Sequence, residues 1–199
     1  MPVKFEFKNL DKGAWVLLRQ AYNLILKCED QVFSEYELTT EQHAVLMAIK
    51  HISVPVRITD IARWLDRSVN SISMIIDRMV KAGLVRRVRD RKDRRTVFVT
   101  MTGKAEKAYV PATIAGWGLI KEILAPLSDE DKRTFIRLLE TLRDKTYDYL
   151  DSGKVAEEVK INETDTMAQL MKQADEYKSS STSTAEAKRK GGTKKKTIR

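Results

Sequence analysis

Two stretches of this chain hold side chains whose type and spacing suit contact with a polyanion. The first is Arg91-Lys92-Asp93-Arg94-Arg95, preceded by Arg86, Arg87 and Arg89. Cations crowded in this way repel one another unless negative charge is brought near. Beside a nucleic acid each would displace condensed counterions, a gain that grows as salt falls. Arginine also suits a narrow, electronegative minor groove. Asp93 and Arg95 lie two apart and can pair across the tip, which shapes it more than it stabilises it. The second stretch is Arg67, Ser68, Asn70, Ser71, Ser73 and Arg78. At helical spacing Asn70, Ser71, Ser73, Met74, Asp77 and Arg78 oppose an apolar side made of Val69, Ile72, Ile75, Ile76, Met79 and Val80. Small polar side chains let a helix sit deep in a major groove roughly 12 Å wide, within reach of base edges. Arg67 stands just before the cap, where a guanine or a phosphate is in range, and a helix N-terminus itself favours phosphate.

The elements that must position these residues are legible from caps and periodicity. Residues 12–30 carry Trp15, Leu18, Ala21, Tyr22, Ile25 and Leu26 along one helical face. Thr39 and Gln42 form a capping box for a helix over 40–51. Val54 to Ile58 reads as a short edge strand. Thr59 is placed to cap a short helix over 60–66. Ser68 caps the next, which runs to Ala82 and stops at Gly83 in a left-handed turn. Leu84–Arg89 and Arg95–Thr100 have strand character and join through the tip at 90–94. Thr102 caps a long helix that Pro111 should kink or interrupt. Ser128 begins another helix ending near Asp151. A further helix falls within 154–177, and from about 178 the composition is that of a disordered basic tail. The order across 40–100 is that of a winged helix-turn-helix, so the fold class is mainly α with a small β wing.

The charge distribution agrees. The formal net charge is +9 over 199 residues. Arg57 to Arg95 holds twelve basic and five acidic residues, and Lys178 to Arg199 holds eight basic residues and one Glu. The rest of the chain is therefore net acidic. Concentrated basicity is the footprint of a polyanion site, against the plainer reading of a solvated charged face. Eight Gly and four Pro suit a helical chain. A single cysteine, Cys28, allows no internal disulfide and fits a reducing compartment. The N-terminus has no continuous apolar stretch, and no run approaches the roughly 18 apolar residues of a membrane span. A cytoplasmic protein of a bacterium or archaeon, with no membrane partner, is the expectation.

The run from Leu38 to Ala105 resembles the MarR family of bacterial transcriptional regulators. Its carriers are LTTEQHAVLMAI and ITDIARWLDRSVNSISMIIDRMVKAGLVRRVRDRKDRRTVFVTMTGKA. Asp93-Arg94-Arg95 matches the Asp-x-Arg of the family wing, and Gly83-Leu84-Val85-x-Arg87 matches the helix-to-wing turn. Met101-Thr102 and Ala105 depart from the family's Leu-Thr-x-x-Gly. The resemblance implies a division into an N-terminal dimerisation helix (1–37), a winged helix-turn-helix DNA-binding lobe (38–102) and C-terminal dimerisation helices (103–153). An additional helix (154–177) and the basic tail (178–199) follow. It further implies a homodimer on a palindromic operator in double-stranded DNA, acting as a repressor. Ser68, Asn70, Ser71 and Ser73 would meet the major groove, and Arg94 with Arg95 and Arg91 the minor groove. A small aromatic or phenolic effector would bind between the dimer helices and the DNA lobe, with Trp15, Tyr22, Trp64 and Trp117 as its candidate lining.

Several residues admit plainer readings. His43 and His51 lack the companions a zinc site needs. Cys28 reads first as a small buried hydrophobe, with an oxidant-sensing thiol as the alternative. Aromatics at helical spacing are most often core, and Trp64 can simply pack the DNA lobe. The tail can add nonspecific affinity or have no role. No paired nucleophile and base, phosphate-cradling loop or cofactor fingerprint is present, so neither an enzyme nor a cofactor is expected. The competing function is a nonspecific nucleic-acid-binding structural protein driven by the basic tail.

Overall fold

The computed structural model of the protein describes residues 8–52, 55–90 and 96–150. Among them the elements run α1 (Leu10–Ser34), α2 (Thr40–His51), α3 (Ile58–Trp64), α4 (Val69–Lys81), β1 (Val85–Arg89), β2 (Val97–Met101), α5 (Gly103–Leu124) and α6 (Asp129–Leu150). The fold is therefore mainly helical with a two-stranded wing. The expected helix at 154–177 and the tail at 178–199 lie outside the described residues.

Local chemistry sets most boundaries. Thr39 Oγ1 accepts from Gln42 N at 3.2 Å while Gln42 Oε1 accepts from Thr39 N at 3.0 Å, the reciprocal pair that starts α2. Ser68 Oγ accepts from Ser71 N at 3.2 Å and starts α4. Gly83 ends that helix at φ +72°, a conformation that glycine enters without steric cost. Thr102 Oγ1 accepts from Ala105 N at 3.3 Å to start α5 and donates to Gly83 O at 2.7 Å. One hydroxyl thus ties the exit of the wing to the end of α4.

Four expectations need correction. Helix α1 extends beyond 12–30 at both ends, because Asn9 Oδ1 caps it through Lys12 N at 2.9 Å and the chain turns only at Glu37, φ +57°. Helix α3 starts at Ile58, with Asp60 Oδ2 accepting from Arg57 N at 2.9 Å, so Asp60 and not Thr59 supplies the cap. Val54 lies outside the described residues, and among those described the strand expected up to Ile58 is one bridge, Arg57 with Phe98, beside Val99 N donating to Val56 O at 2.8 Å. Of the kink or interruption expected at Pro111, the interruption does not occur, and α5 continues through it. The carbonyl that loses its amide there belongs to exposed Lys107, where water can satisfy it.

The core lies in the central lobe. Leu46, Ile61, Ile72, Ile76, Met79, Leu84, Val45, Val56 and Val99 are fully buried. They come from α2, α3, α4, the wing and the approaches to them, so this one cluster fixes the turn pair against the wing. Burying each such side chain contributes about 1.5–3 kcal/mol. On α4 the buried stripe is Ile72, Ile75, Ile76 and Met79. Val69 and Val80, expected in the core, are exposed. Val69 continues the stripe one turn beyond the end of the core, and Val80 falls on its flank. No described helix is long and apolar enough to cross a membrane.

Candidate nucleic-acid interface

Helix α3, a turn at Asp66 and helix α4 form a helix-turn-helix. Asp66 takes φ +48°, where an aspartate is tolerated better than most residues, and Arg67 N then donates to Ala62 O at 2.9 Å. This turn holds α4 so that its side away from the core faces solvent. Asn70, Met74, Asp77 and Arg78 are exposed there, and Ser71 and Ser73 are half-buried. Arg67 is exposed just before the cap. Of the six residues read from the sequence for this surface, Ser68 caps α4, Asn70, Ser71 and Ser73 follow in its first two turns, and Arg67 and Arg78 meet at one carboxylate.

Two of those arginines have a partner that the sequence did not suggest. Glu41, in the first turn of α2, contacts Arg67 Nη1 through Oε1 at 3.2 Å and Arg78 Nη2 through Oε2 at 3.4 Å. A single carboxylate therefore spans the start and the third turn of α4. The side chains are more than a third exposed, which limits each pair to about 0–1 kcal/mol. A third ion pair, Arg87 to Asp77, joins β1 to α4 and couples the wing to the recognition helix.

The wing is an antiparallel pair in register from Val85 opposite Met101 to Arg89 opposite Val97. Arg86, Arg87 and Arg89 are exposed on β1, and Arg86 Nε donates to Thr100 Oγ1 at 3.1 Å. The ladder continues with Asp90 N donating to Thr96 O at 3.0 Å. Arg91, Lys92, Asp93, Arg94 and Arg95 lie outside the described residues, as does the pair expected between Asp93 and Arg95.

A second feature lies behind the lobe, where α1, α2 and α5 meet. A cavity of about 240 Å³ is lined by Glu29 and Phe33 of α1, Thr40, His43 and Met47 of α2, and Thr113 and Trp117 of α5, among others. His43 is only 8% exposed. Its ring lies 4.2 Å from Phe33 and 5.5 Å from Tyr109, stacked on both. Thr113 Oγ1 donates to Tyr109 O at 2.8 Å, so His43 Nε2 is the donor in its 2.9 Å contact with Thr113 Oγ1. The ring is thus the Nε2–H tautomer, with Nδ1 left as an acceptor. Burial lowers the His43 pKa to about 4, which keeps the ring neutral. Burial, and secondarily Asp30, raises the pKa of Glu29. Thr40 Oγ1 is buried in the cavity wall without a hydrogen-bond partner among the described residues.

Of the four aromatics read as an effector lining, the structure puts Trp117 at this cavity. Trp64 packs against the core of the lobe and stacks on His51 at 6.3 Å, while Trp15 and Tyr22 are exposed on α1. Sequence reasoning missed His43, Phe33, Met47 and Thr113. The available signal was His43, set at the head of the apolar run of α2. Cys28, read first as buried, is exposed. Among the described residues, nothing covers the face of α1 that carries it.

A helix-turn-helix flanked by an arginine-bearing wing defines a winged-helix DNA-binding protein. Comparison with known proteins agrees: residues 38–105 match the winged helix DNA-binding domain family. The transcriptional regulator HosA of Escherichia coli O157:H7 is 32% identical over 103 residues, covering 52% of this chain and 76% of that protein. The organohalide-sensing transcriptional regulator RdhR-CbdbA1625, solved with 2,4-dichlorophenol bound, superposes with a TM-score of 0.68 at 24% identity, over 77% of this chain and 90% of that one. A mutant MarR from E. coli, solved in complex with operator DNA, gives a TM-score of 0.53 at 21% identity, over 65% of this chain and 95% of that one. The chain belongs to the MarR family of winged-helix transcriptional regulators.

Proposed function

We propose that the protein is a homodimeric repressor that binds an inverted-repeat operator in double-stranded DNA and loosens its grip when a small aromatic or phenolic molecule occupies the α1/α2/α5 cavity. The observation that carries the DNA reading is the polar, basic outer side of α4 standing next to the exposed arginines of β1. Each protomer lays the N-terminal half of α4 into a major groove. Arg94, with Arg95 and Arg91, enters the adjacent minor groove, and Lys92 and the arginines of β1 meet phosphates. Asp93 shapes the tip. Occupying the duplex blocks access to it, which makes repression the simplest outcome.

Dimerisation is supported by what the chain leaves uncovered. Helix α6 has no buried residue over its 22 residues. Phe135, Leu138, Leu139 and Leu142 form an exposed stripe on it at i, i+3, i+4 and i+7. Trp15, Leu18, Tyr22 and Ile25 make a similar exposed face on α1. Apolar faces of this extent mark an interface, and two copies pairing through segments 1–37 and 103–153 would cover them. Pairing also places two copies of segment 38–102 on half-sites of a palindrome.

Support for the effector is chemical. The cavity is lined by the apolar side chains of Phe33, Met47 and Trp117 and by the neutral imidazole of His43. A planar ring carrying a hydroxyl fits that set. The neighbour solved with 2,4-dichlorophenol belongs to the same fold, which agrees with this chemistry.

Arg94→Ala tests the DNA reading. At physiological salt it should weaken operator binding more than tenfold and flatten the dependence of affinity on salt, because phosphate and minor-groove contacts vanish in both protomers. Unchanged affinity contradicts the reading. Deleting residues 178–199 separates it from a tail-driven nonspecific binder, which would lose nearly all affinity where the regulator keeps its preference for the operator.

A further inference from the structure

The outer side of α4 holds many polar groups, but most are already engaged. The hydroxyl of Ser68 accepts from Ser71 N and is committed to the cap. Ser71 and Ser73 are half-buried. Arg67 and Arg78 share Glu41, and Asp77 pairs with Arg87. In the first two turns this leaves two large, exposed side chains aimed away from the core at the reading position: Asn70, whose side chain has no hydrogen-bond partner among the described residues, and Met74. Met74 is 67% exposed, the most exposed large apolar residue of the helix, although the core beside it is complete without it.

Building on the groove reading of α4 above, we propose that Asn70 and Met74 read an adenine and a nearby thymine in each half-site, with the Met74 thioether packed on the thymine C5-methyl. Residues at i and i+4 share a helix face and lie roughly 6 Å apart along it. Base pairs step by roughly 3.4 Å, so the two contacts fall one to two steps apart. An asparagine amide matches the N6 donor and N7 acceptor of adenine as a bidentate pair. The thymine methyl is the one apolar group that the standard base pairs present in the major groove. Methionine, unbranched and polarizable, shapes itself to that methyl and excludes water from it. Cytosine lacks the methyl and presents an N4 donor that the thioether barely satisfies, so Met74 discriminates against a C·G pair as well. A glutamine or serine at position 74 would lack this preference.

The test uses the full chain and the tightest duplex selected from a random pool, at one fixed salt concentration. Each thymine of a half-site is replaced in turn by deoxyuridine, which removes the methyl and keeps the hydrogen-bonding edge. One position per half-site should weaken binding roughly fourfold, and roughly fifteenfold when both half-sites are changed, as expected for one buried methyl apiece. Met74→Ala and Met74→Gln should bind more weakly and no longer distinguish thymine from uracil at that position. In parallel, 7-deazaadenine one or two steps away should weaken wild type and leave Asn70→Ala unaffected. Both residues are exposed, so thermal unfolding of the variants should match wild type. The inference is overturned if uracil is tolerated at every position, or if Met74→Ala keeps the wild-type ratio of thymine to uracil affinity. A preferred duplex without methyl dependence removes this inference alone, whereas a pool that yields no preferred duplex removes it together with the groove reading of α4.

Discussion

Acidification should destabilise this protein through His43, and the size of the effect follows from the ring's surroundings. The ring is stacked between Phe33 and Tyr109 and hydrogen-bonded to Thr113, with burial lowering its pKa from 6.5 to about 4. In the unfolded chain the ordinary histidine pKa returns. Between those two values the unfolded state binds a proton that the folded state refuses, so stability is full above pH 6.5 and falls as the pH drops toward 4. A shift of this size corresponds to about 3 kcal/mol once the pH is below both values, and to about 2.5 kcal/mol by roughly pH 4.5. Other groups titrate in the same range, among them Glu29 at the cavity, whose pKa is raised. The informative quantity is therefore the difference between wild type and His43→Gln, which keeps a polar group near Thr113 but cannot titrate. Urea unfolding of both proteins at one protein concentration, from pH 7.5 to 4.5, measures it. The stability of wild type relative to the variant should fall by about 2–3 kcal/mol across the range. A difference that stays flat refutes the buried, neutral histidine. An NMR titration of the His43 ring with a midpoint near 6.5 refutes it equally.

In Gly116→Ala the new Cβ meets the ring of buried Phe33 at 3.1 Å, which offsets the roughly 1 kcal/mol that alanine gains over glycine inside a helix, so urea unfolding should show no net stabilisation. The same variant narrows the cavity, so calorimetric affinity for a phenolic ligand should drop at least severalfold; unaltered affinity would place the ligand elsewhere. Glu41→Gln frees Arg67 and Arg78 for phosphate, so fluorescence anisotropy should record operator binding a few-fold tighter with a steeper salt dependence, at a stability cost below about 1 kcal/mol. Weaker binding would mean that Glu41 orients the arginines rather than competing for them. Leu139→Asp should shift the sedimenting species to a single chain and lower operator affinity, and an unshifted species would exclude the α6 stripe from the interface.

What the sequence made legible was local. Thr39 with Gln42, Ser68, Gly83 and Thr102 punctuate the helices because each acts within three residues of itself, where a linear pattern carries the information. The stripe Ile72, Ile75, Ile76 and Met79 was legible for the same reason. The Glu41 pair with Arg67 and Arg78 was not, since those residues are 26 and 37 positions away. Nor was the contact of His43 with Thr113, 70 positions away. Such contacts depend on how helices cross, which no short-range pattern encodes. Periodicity also identifies an apolar face without saying what covers it. Cys28, Trp15 and Tyr22 lie on α1 as expected, yet the chain itself leaves them exposed.

The central claim is that two copies of this chain grip one duplex through paired recognition helices and wings. Selection of bound duplexes from a random pool, followed by light scattering of the complex on the winning sequence, tests it most directly. The expected winner is an inverted repeat whose half-site centres lie roughly one helical turn apart, or a multiple of that, bound by two chains per duplex. A pool that enriches no inverted repeat, or a complex holding one chain per duplex, would contradict it.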